Sequence, residues 1–377
     1  MQHPSLTVKI IREAEAWDAI EADWEKLYVA APRASTSLDF RWLRTWWRVY
    51  GPTYGRDGLR IVTIWRDARL VGAAPLFLGR GACAPGLRSL RMVSTGEAEH
   101  EETCADYLDL LSLPGETADC ARLTWDTVRH MKWDCLELLD LSADSPLVEA
   151  SDAHQWFVRG SCPIADLSGG FESYLQKLSP NTRQQLRRLI RAGERASVRF
   201  ELVSESQVDE AFEELIALHQ HQWTARGKPG AFAAPRFVQF HRSLLRDWLP
   251  RGRAVLARLS VAGRPVVVIY GFLTGNKFDF YQSGMRHEPV ESLGSPGILA
   301  HALLMNELAA RGVEAYDFLR GSSEYKQRLA TRTKQLVGIR IWRPTLTAMR
   351  HRISGWLGGY TDGRAGFTRH GTHRAAP

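Results

Sequence analysis

The sequence contains no apolar run long enough to cross a membrane. Its longest run, Pro265 to Leu273, is far shorter than the ~20 residues that a transmembrane helix needs. The first ten residues, Met1 to Ile10, lack the charged start and long apolar middle of a signal peptide. We therefore expect a cytoplasmic protein.

Cysteine is also scarce, with five residues in 377, and no two cysteines have the CxxC spacing of a zinc site. An odd, scattered set argues against a disulfide framework, so we expect reduced and mostly buried thiols. His219 and His221 point to different faces of a helix, which is poor geometry for a metal. The acidic run Glu97 to Glu102 reads as a solvated loop without matching ligands elsewhere. The sequence therefore predicts no metal site.

Positive charge is concentrated at one end of the chain. The net charge is +7, and residues 342–377 contain six arginines and one aspartate. The rest of the chain is nearly neutral, so we expect no specific nucleic-acid partner. We expect residues 343–377 to form a flexible basic tail, with a weak contact to an anionic membrane surface as the alternative.

Two parts of the chain repeat the same order of elements. Leu59 to Phe77 and Ala254 to Leu273 each read as a β-hairpin with a polar turn. Apolar-striped helices are expected before the hairpins, at Trp17 to Ala30, Trp42 to Tyr50, Val208 to Arg226 and Phe237 to Leu249. A strand, a helix and a strand are expected after each hairpin: Asp106 to Leu113, Thr117 to Met131 and Trp133 to Leu141 in the first copy, and Lys277 to Ser283, Ile298 to Arg311 and Val313 to Arg320 in the second.

The last strand of each copy carries an acidic residue, Glu137 in the first and Asp317 in the second. Strand alternation places Asp317 on one side of the sheet and Tyr316 and Arg320 on the other. A buried carboxylate is costly unless it is paired. We expect its partner to come from the nearby cations, Arg320, Lys326 and Arg328. A structural ion pair and a functional role are both open.

The order of elements resembles the GNAT acyltransferase fold, and its duplication resembles the FemAB-like branch of that superfamily. The second half is similar to the acetyltransferase domain of BioF2-like and CelD-like proteins of polysaccharide gene clusters. Four segments carry this resemblance: LSPNTRQQLRRLIR from Leu178, HQHQWTARGKPG from His219, LGSPGILA from Leu293 and YDFLRGSSEYKQRLA from Tyr316.

This resemblance implies an α/β fold of two GNAT-like domains, each with a mostly antiparallel central sheet flanked by helices. The first, degenerate domain is expected at residues 1–165 and the acetyltransferase domain at residues 166–342. It also implies that acetyl-CoA or another acyl-CoA is the co-substrate. Its pyrophosphate would lie at the helix start in LGSPG, where no basic residue opens the loop as is usual in the superfamily. The expected cofactor-binding residues are Ser283, Gly294, Ser295 and Gly297.

Acyl transfer to an amine needs a proton acceptor, a donor for the leaving thiolate and groups that position the substrates. The resemblance assigns Asp317 and Glu324 as proton acceptors, and Tyr325 and Tyr281 as phenols for the thiolate, with Tyr325 favoured. The residues expected to bind substrate are Arg320, Lys326 and Arg187.

Arg187 belongs to a stripe of arginines spaced by four, with Arg183, Arg191 and Arg195. Such a stripe is either a solvated helix face or a contact for CoA phosphates or a sugar nucleotide.

The sequence thus favours an N-acyltransferase acting on a small amine acceptor, such as an amino sugar or a nucleotide-linked precursor of a polysaccharide. Two alternatives stay open. One is a FemAB-like transferase that uses aminoacyl-tRNA. The other is an accessory protein of polysaccharide biosynthesis without catalysis.

Overall fold

The computed structural model of the chain is described at residues 5–80, 86–151, 156–196, 198–286 and 293–344. Within those ranges the strands are β1 (Leu6–Ile11), β2 (Ile61–Arg66), β3 (Arg69–Ala74), β4 (Leu76–Arg80), β5 (Arg88–Met92), β6 (Leu111–Ser112), β7 (Cys135–Ser142), β8 (Trp156–Asp166), β9 (Arg199–Leu202), β10 (Ala254–Val261), β11 (Arg264–Thr274), β12 (Lys277–Met285), β13 (Ala315–Asp317) and β14 (Arg332–Trp342).

The α-helices in the same ranges are α1 (Ala14–Asp18), α2 (Glu21–Ala30), α3 (Phe40–Tyr54), α4 (Thr117–His130), α5 (Pro146–Glu149), α6 (Gly170–Lys177), α7 (Pro180–Arg195), α8 (Val208–Thr224), α9 (Pro235–Trp248), α10 (Pro296–Ala310) and α11 (Glu324–Leu329). None of these helices is both long enough and apolar enough to cross a membrane.

Local sequence explains where the main elements begin and turn. The hairpins β2–β3 and β10–β11 turn at Asp67 and at Ala262 with Gly263, which all have positive φ. The carboxylate of Asp39 accepts a 2.8 Å hydrogen bond from the backbone N–H of Arg41 and so caps α3. Ser179 caps α7, and Pro180 occupies the first position of that helix.

A ten-stranded mixed sheet forms the centre of the molecule, in the order β4-β5-β7-β14-β8-β13-β12-β11-β10-β9. Most neighbours are antiparallel, while β5 and β7, and β12 and β13, are parallel. A smaller sheet, β1-β2-β3-β6, belongs to the first half. Pro75 separates β3 from β4 and has no N–H for a sheet hydrogen bond, so the chain passes from one sheet to the other at this residue.

The two halves exchange their last strands. Strand β14, at the end of the second half, pairs with β7 and β8 of the first. Strand β8 in turn pairs with β13 of the second half. An apolar cluster also joins the halves, since Trp42 on α3 packs edge-on against Phe240 and Phe272. The sheet and the core are therefore continuous between the halves.

The predicted α/β fold with two related halves is confirmed, and both hairpins and the helices around them lie where the sequence placed them. Two strands are shorter than predicted. β13 ends at Asp317 because Leu319 has a left-handed φ of 54° and the N–H of Phe318 bonds to Pro163 of β8. In the predicted strand Asp106 to Leu113, only Leu111–Ser112 pairs, because Tyr107 has a left-handed φ of 61° and the chain before it forms a loop. The divisions at residues 165 and 342 stay predictions, and the tail lies outside the described residues.

Two expectations about polar and cysteine residues are wrong. The run from Glu97 is not a solvated loop, because Glu97 accepts a hydrogen bond from the Trp46 indole and Glu101 is buried against Tyr54 and Arg236. Cys135 is bonded in a disulfide, while free thiols are found at Cys104, Cys120 and Cys162.

Candidate active site

The central sheet opens between β12 and β13. The two strands pair only from Lys277 to Asp279 on β12, and beyond Asp317 the chain bends towards β8 while β12 continues to Met285. β12 also carries a bulge at Tyr281, since Gln282 pairs with Tyr270 but Phe280 pairs with Gly271. Bulges often re-aim a side chain beside an active site. We call the space between residues 280–285 and residues 318–321 the wedge.

Lys326, in the first turn of α11, lies beside the wedge. Its Nζ donates a 2.7 Å hydrogen bond to the carbonyl of Phe318 and lies 5.6 Å from the centre of the Phe280 ring. A second, longer contact of 3.5 Å reaches the carbonyl of Arg320. Burial lowers the pKa of Lys326, while the charges of Asp106 and Asp317 oppose that change. Its direct polar contacts in the described residues are thus two backbone carbonyls, and the two carboxyl groups act on it through their charges.

Tyr325 belongs to an aromatic cluster beside Lys326. Its ring stacks on His301 at 5.5 Å and meets Phe318 edge-on at 6.2 Å. Nδ1 of His301 lies 2.8 Å from the hydroxyl of Tyr316. Burial and the charge of Lys326 lower the pKa of His301 to about 3, so this histidine is neutral at ordinary pH. Burial also raises the pKa of the Tyr325 phenol.

Asp106 is a buried carboxyl that the first half contributes to this region. It accepts a 2.6 Å hydrogen bond from the backbone N–H of Arg320. Burial raises its pKa to about 7, against the opposing effect of the Arg320 charge. Cys104 and Tyr107, on either side of Asp106, both have positive φ. Strained backbone of this kind clusters at functional sites.

Asp317 is also buried, and its partners differ from those expected. Its Oδ2 accepts a 2.7 Å hydrogen bond from Tyr107, and its Oδ1 accepts one of 2.8 Å from the N–H of Leu319. The nearest cation is Lys277, with Nζ at 3.8 Å, and not a cation from the following helix. Burial raises the pKa of Asp317, although Lys277 opposes this.

Arg320 joins the two halves. Its guanidinium lies 3.4 Å from Glu102, 3.4 Å from Asp106 and 3.6 Å from Asp140, all in the first half. Strand alternation does not extend to Arg320, because β13 ends at Asp317 and Leu319 has a left-handed φ. These carboxylates raise the pKa of Arg320 although burial opposes them. Its observed contacts are with protein carboxylates.

Tyr281 lies at the junction of the halves. Its hydroxyl donates a 2.6 Å hydrogen bond to the carbonyl of Thr103 and lies 3.0 Å from Nε2 of His241. Burial raises its pKa. Glu324 is exposed at the start of α11, and Arg187 is exposed on α7, where it pairs with Glu172 at 2.9 Å. Among the described residues, neither Glu324 nor Arg187 contacts the cluster around Lys326.

The start of α10 provides donors that suit an anion. Gly294 has a φ of 67°, and the side chain of Ser295 at the N-cap makes no capping hydrogen bond. The first-turn N–H groups of Gly297 and Ile298 have no acceptor in the part of the chain that is described. A Cβ at Gly297 would come within 2.9 Å of Met285, so glycine lets the helix start pack against the end of β12. Ser283 lies on β12 near that end.

A cavity of about 550 Å³ lies between the two halves. The first half contributes Tyr28, Arg33, Asp39, Tyr107 and Asp109 to its walls, and the second contributes Arg253, Lys277, Asp317, Arg332 and Lys334. The cavity therefore reaches Asp317, one of the two carboxyl groups whose charges act on Lys326. In the described ranges no group of acidic, histidine or cysteine residues has the arrangement of a metal site.

The sequence predicted three members of this cluster, Asp317, Tyr325 and Lys326, but it missed Asp106 and His301. Asp106 lies in the predicted strand DYLDLLSL, and its partner Arg320 is 214 residues away. His301 lies on a helix that reads as apolar packing. Neither residue carries a local signal, since the strand of Asp106 contains a second acid, Asp109.

Comparison with protein families finds one match: residues 180–327 match the model described as an acetyltransferase (GNAT) domain. No curated protein matches the chain. The chain is similar in structure to FemX, with a TM-score of 0.59 and 10% identity over 87% of this chain and 96% of that one.

Two further solved structures are similar along nearly their whole length. The C-terminal domain of a putative lysylphosphatidylglycerol synthetase from Agrobacterium fabrum has a TM-score of 0.54 and 13% identity, over 90% of this chain and 97% of its own. L-PGS from Bacillus licheniformis has a TM-score of 0.53 and 12% identity, over 92% and 98%. Residues 180–327 thus match an acetyltransferase (GNAT) domain, and the whole chain has a fold similar to that of FemX.

Proposed function

We propose that this protein is an N-acyltransferase that moves an acetyl or other acyl group from acyl-CoA to the amine of a small acceptor, such as an amino sugar or a nucleotide-linked precursor. The observation that carries the proposal is the wedge beside β12, where the partly buried cation Lys326 lies within reach of the charges of two buried carboxyls, Asp106 and Asp317. The GNAT family match to this half supports it.

The residues at the start of α10 fit a CoA diphosphate. Gly297 and Ile298 offer two unsatisfied N–H groups, and the helix dipole favours negative charge at the same point. Gly294 and Gly297 allow close approach of a ligand to the backbone. Acyl-CoA would supply the thioester that reacts. The wedge next to this helix start is bordered by apolar rings, which suits the uncharged arm of the donor.

In the proposed reaction the acceptor nitrogen attacks the thioester carbonyl, the C–N bond forms and the C–S bond breaks. The amine must lose a proton, and a base with a pKa near the working pH serves this step best. Asp106, whose pKa is about 7, is the best matched carboxyl, with Asp317 beside it. The proton ends on the CoA thiolate, and we expect it to come from Tyr325, whose phenol keeps its proton because burial raises its pKa.

Lys326 would stabilise the negative charge that develops on the carbonyl oxygen. Such charge stabilisation is commonly the largest contribution to catalysis in acyl transfer. Two backbone carbonyls hold its ammonium group in place, so little reorganisation is needed during the reaction.

Aminoacyl transfer is a second candidate. The similarity to FemX and to a putative lysylphosphatidylglycerol synthetase extends over both halves of the chain. The same base and cation would serve an aminoacyl ester as well as a thioester.

Mass spectrometry of reactions with a panel of amines tests both candidates. Each amine is offered acetyl-CoA in one series and a mixture of aminoacyl-tRNAs in the other. The acyl-CoA proposal expects acetylated products that disappear in Asp106→Asn. Aminoacylated products alone would select the second candidate, and no product in either series would favour an accessory role.

A further inference from the structure

The cavity between the halves carries an uneven distribution of charge. Three of its cations are held by nearby acids: Arg253 pairs with Asp39, Arg33 lies 2.8 Å from Asp144, and Lys277 lies 2.7 Å from Asp279. Each of these three cations is therefore paired with an acid.

Two cations at the mouth of the cavity are left without such compensation. Arg332 has no ion-pair partner in the described part of the chain, and Lys334 is only within 3.9 Å of Asp144, which Arg33 already binds more closely. Arg332 and Lys334 are two residues apart on β14, so their side chains lie on the same face. Both line the cavity, and both are partly or fully exposed.

Tyr107 connects this mouth with the interior. The Nζ of Lys334 lies 5.6 Å from its ring centre and that of Lys277 lies 4.7 Å away. The hydroxyl of the same tyrosine bonds to Asp317, whose side chain is 1% exposed. The cavity therefore has cations at its mouth and a buried carboxyl at its inner end.

We propose that this cavity binds the acceptor, and that the acceptor carries an anionic group in addition to its amine. The amine lies towards Asp317, and Arg332 and Lys334 hold the anion, a phosphate or a carboxylate. The identification of the ligand as the acceptor rests on the proposed function. A guanidinium paired with an ammonium suits both anions, since each forms charge-assisted hydrogen bonds.

Three amino sugars with the same ring amine serve as probes: glucosamine, glucosamine 6-phosphate and muramic acid. They carry no anion, a phosphate and a carboxylate, respectively. Isothermal titration calorimetry of the full chain measures the affinity of each. We expect at least one anionic sugar to bind roughly tenfold or more tightly than glucosamine, because charge-assisted hydrogen bonds are about twice as strong as neutral ones. The sugar that is preferred tells phosphate from carboxylate.

The double variant Arg332→Gln/Lys334→Gln removes both cations without changing a buried residue. We expect it to remove the preference for the anionic sugar and to leave glucosamine binding unchanged. Arg188→Gln, on the exposed face of α7, is the matched control and should keep the preference. Equal affinities, no binding of any of the three sugars, or a preference that survives in the double variant would overturn the inference. Binding with the expected preference but without acyl transfer from any donor would refute the proposed function alone.

Discussion

The substitution Asp106→Asn should affect activity and stability differently. A buried carboxyl with a raised pKa lowers the stability of the folded protein, while the same carboxyl serves as the base. The folded pKa of Asp106 is about 7, against an ordinary value of 3.8. The folded state therefore binds its proton more tightly than the unfolded state does. Stability falls as the pH rises from about 4 to about 7. At 1.36 kcal/mol per pKa unit, the cost above pH 7 is on the order of 4 kcal/mol.

Asparagine keeps the size of the side chain and an oxygen that can accept the hydrogen bond from the N–H of Arg320. It cannot lose a proton, so this cost disappears. Part of the gain is offset because Arg320 loses one of its three carboxylate neighbours. We expect the variant to be at least as stable as the wild type at pH 8, with a smaller decline of stability between pH 4 and pH 7. Urea unfolding at a series of pH values measures both effects.

The activity of the same variant should fall. Loss of a general base commonly costs about 100-fold to 10,000-fold in rate. The wild type should show kcat/KM rising with pH through an apparent pKa near 7, and the variant should lack that rise. A variant that is destabilised at pH 8, or that keeps the wild-type pH profile, would refute the role given to Asp106.

Three other substitutions each test the contacts of one residue. Lys326→Met should lower kcat by about 100-fold to 1,000-fold in steady-state kinetics. It should also lower the free energy of unfolding in urea by about 1–3 kcal/mol, because the carbonyl of Phe318 loses its donor. An unchanged kcat would exclude Lys326 from charge stabilisation. Asp317→Asn should lower turnover with little change in melting temperature, because Asp279 still neutralises Lys277 at 2.7 Å; a large drop in that temperature would support a structural ion pair instead. Arg320→Gln should lower the free energy of unfolding in urea by about 3 kcal/mol, since it leaves carboxylates of the first half without their cation. A decrease below about 0.5 kcal/mol would contradict the role of Arg320 in joining the halves.

The repeat of elements along the chain was enough to predict the helices and hairpins, since those depend on local periodicity and turn residues. β10 and β11 turn at Ala262 and Gly263, within the polar turn that the sequence indicated. The exchange of β8 and β14 could not be read in the same way. Their pairing joins residues such as Arg332 and Ile164, which are far apart in sequence and have no pattern in common.

Only the residues that the second half of the chain contributes to the site were predicted. Asp317, Tyr325 and Lys326 lie within ten residues of one another, so the sequence showed them together. Asp106 becomes a candidate base only because burial raises its pKa, and that burial requires the first half to pack against the end of β13. The pKa of a carboxyl in a predicted strand cannot be judged until its tertiary environment is known.

Calorimetry with acetyl-CoA and with acetylpantetheine, which lacks the nucleotide diphosphate, tests the proposal that acyl-CoA is the donor. We expect acetyl-CoA to bind with a dissociation constant between about 1 μM and 1 mM, the ordinary range for a working substrate. Acetylpantetheine should bind at least tenfold more weakly, because it cannot use the N–H groups at the start of α10. Absence of acetyl-CoA binding at several millimolar, or equal affinity for the two thioesters, would contradict that proposal.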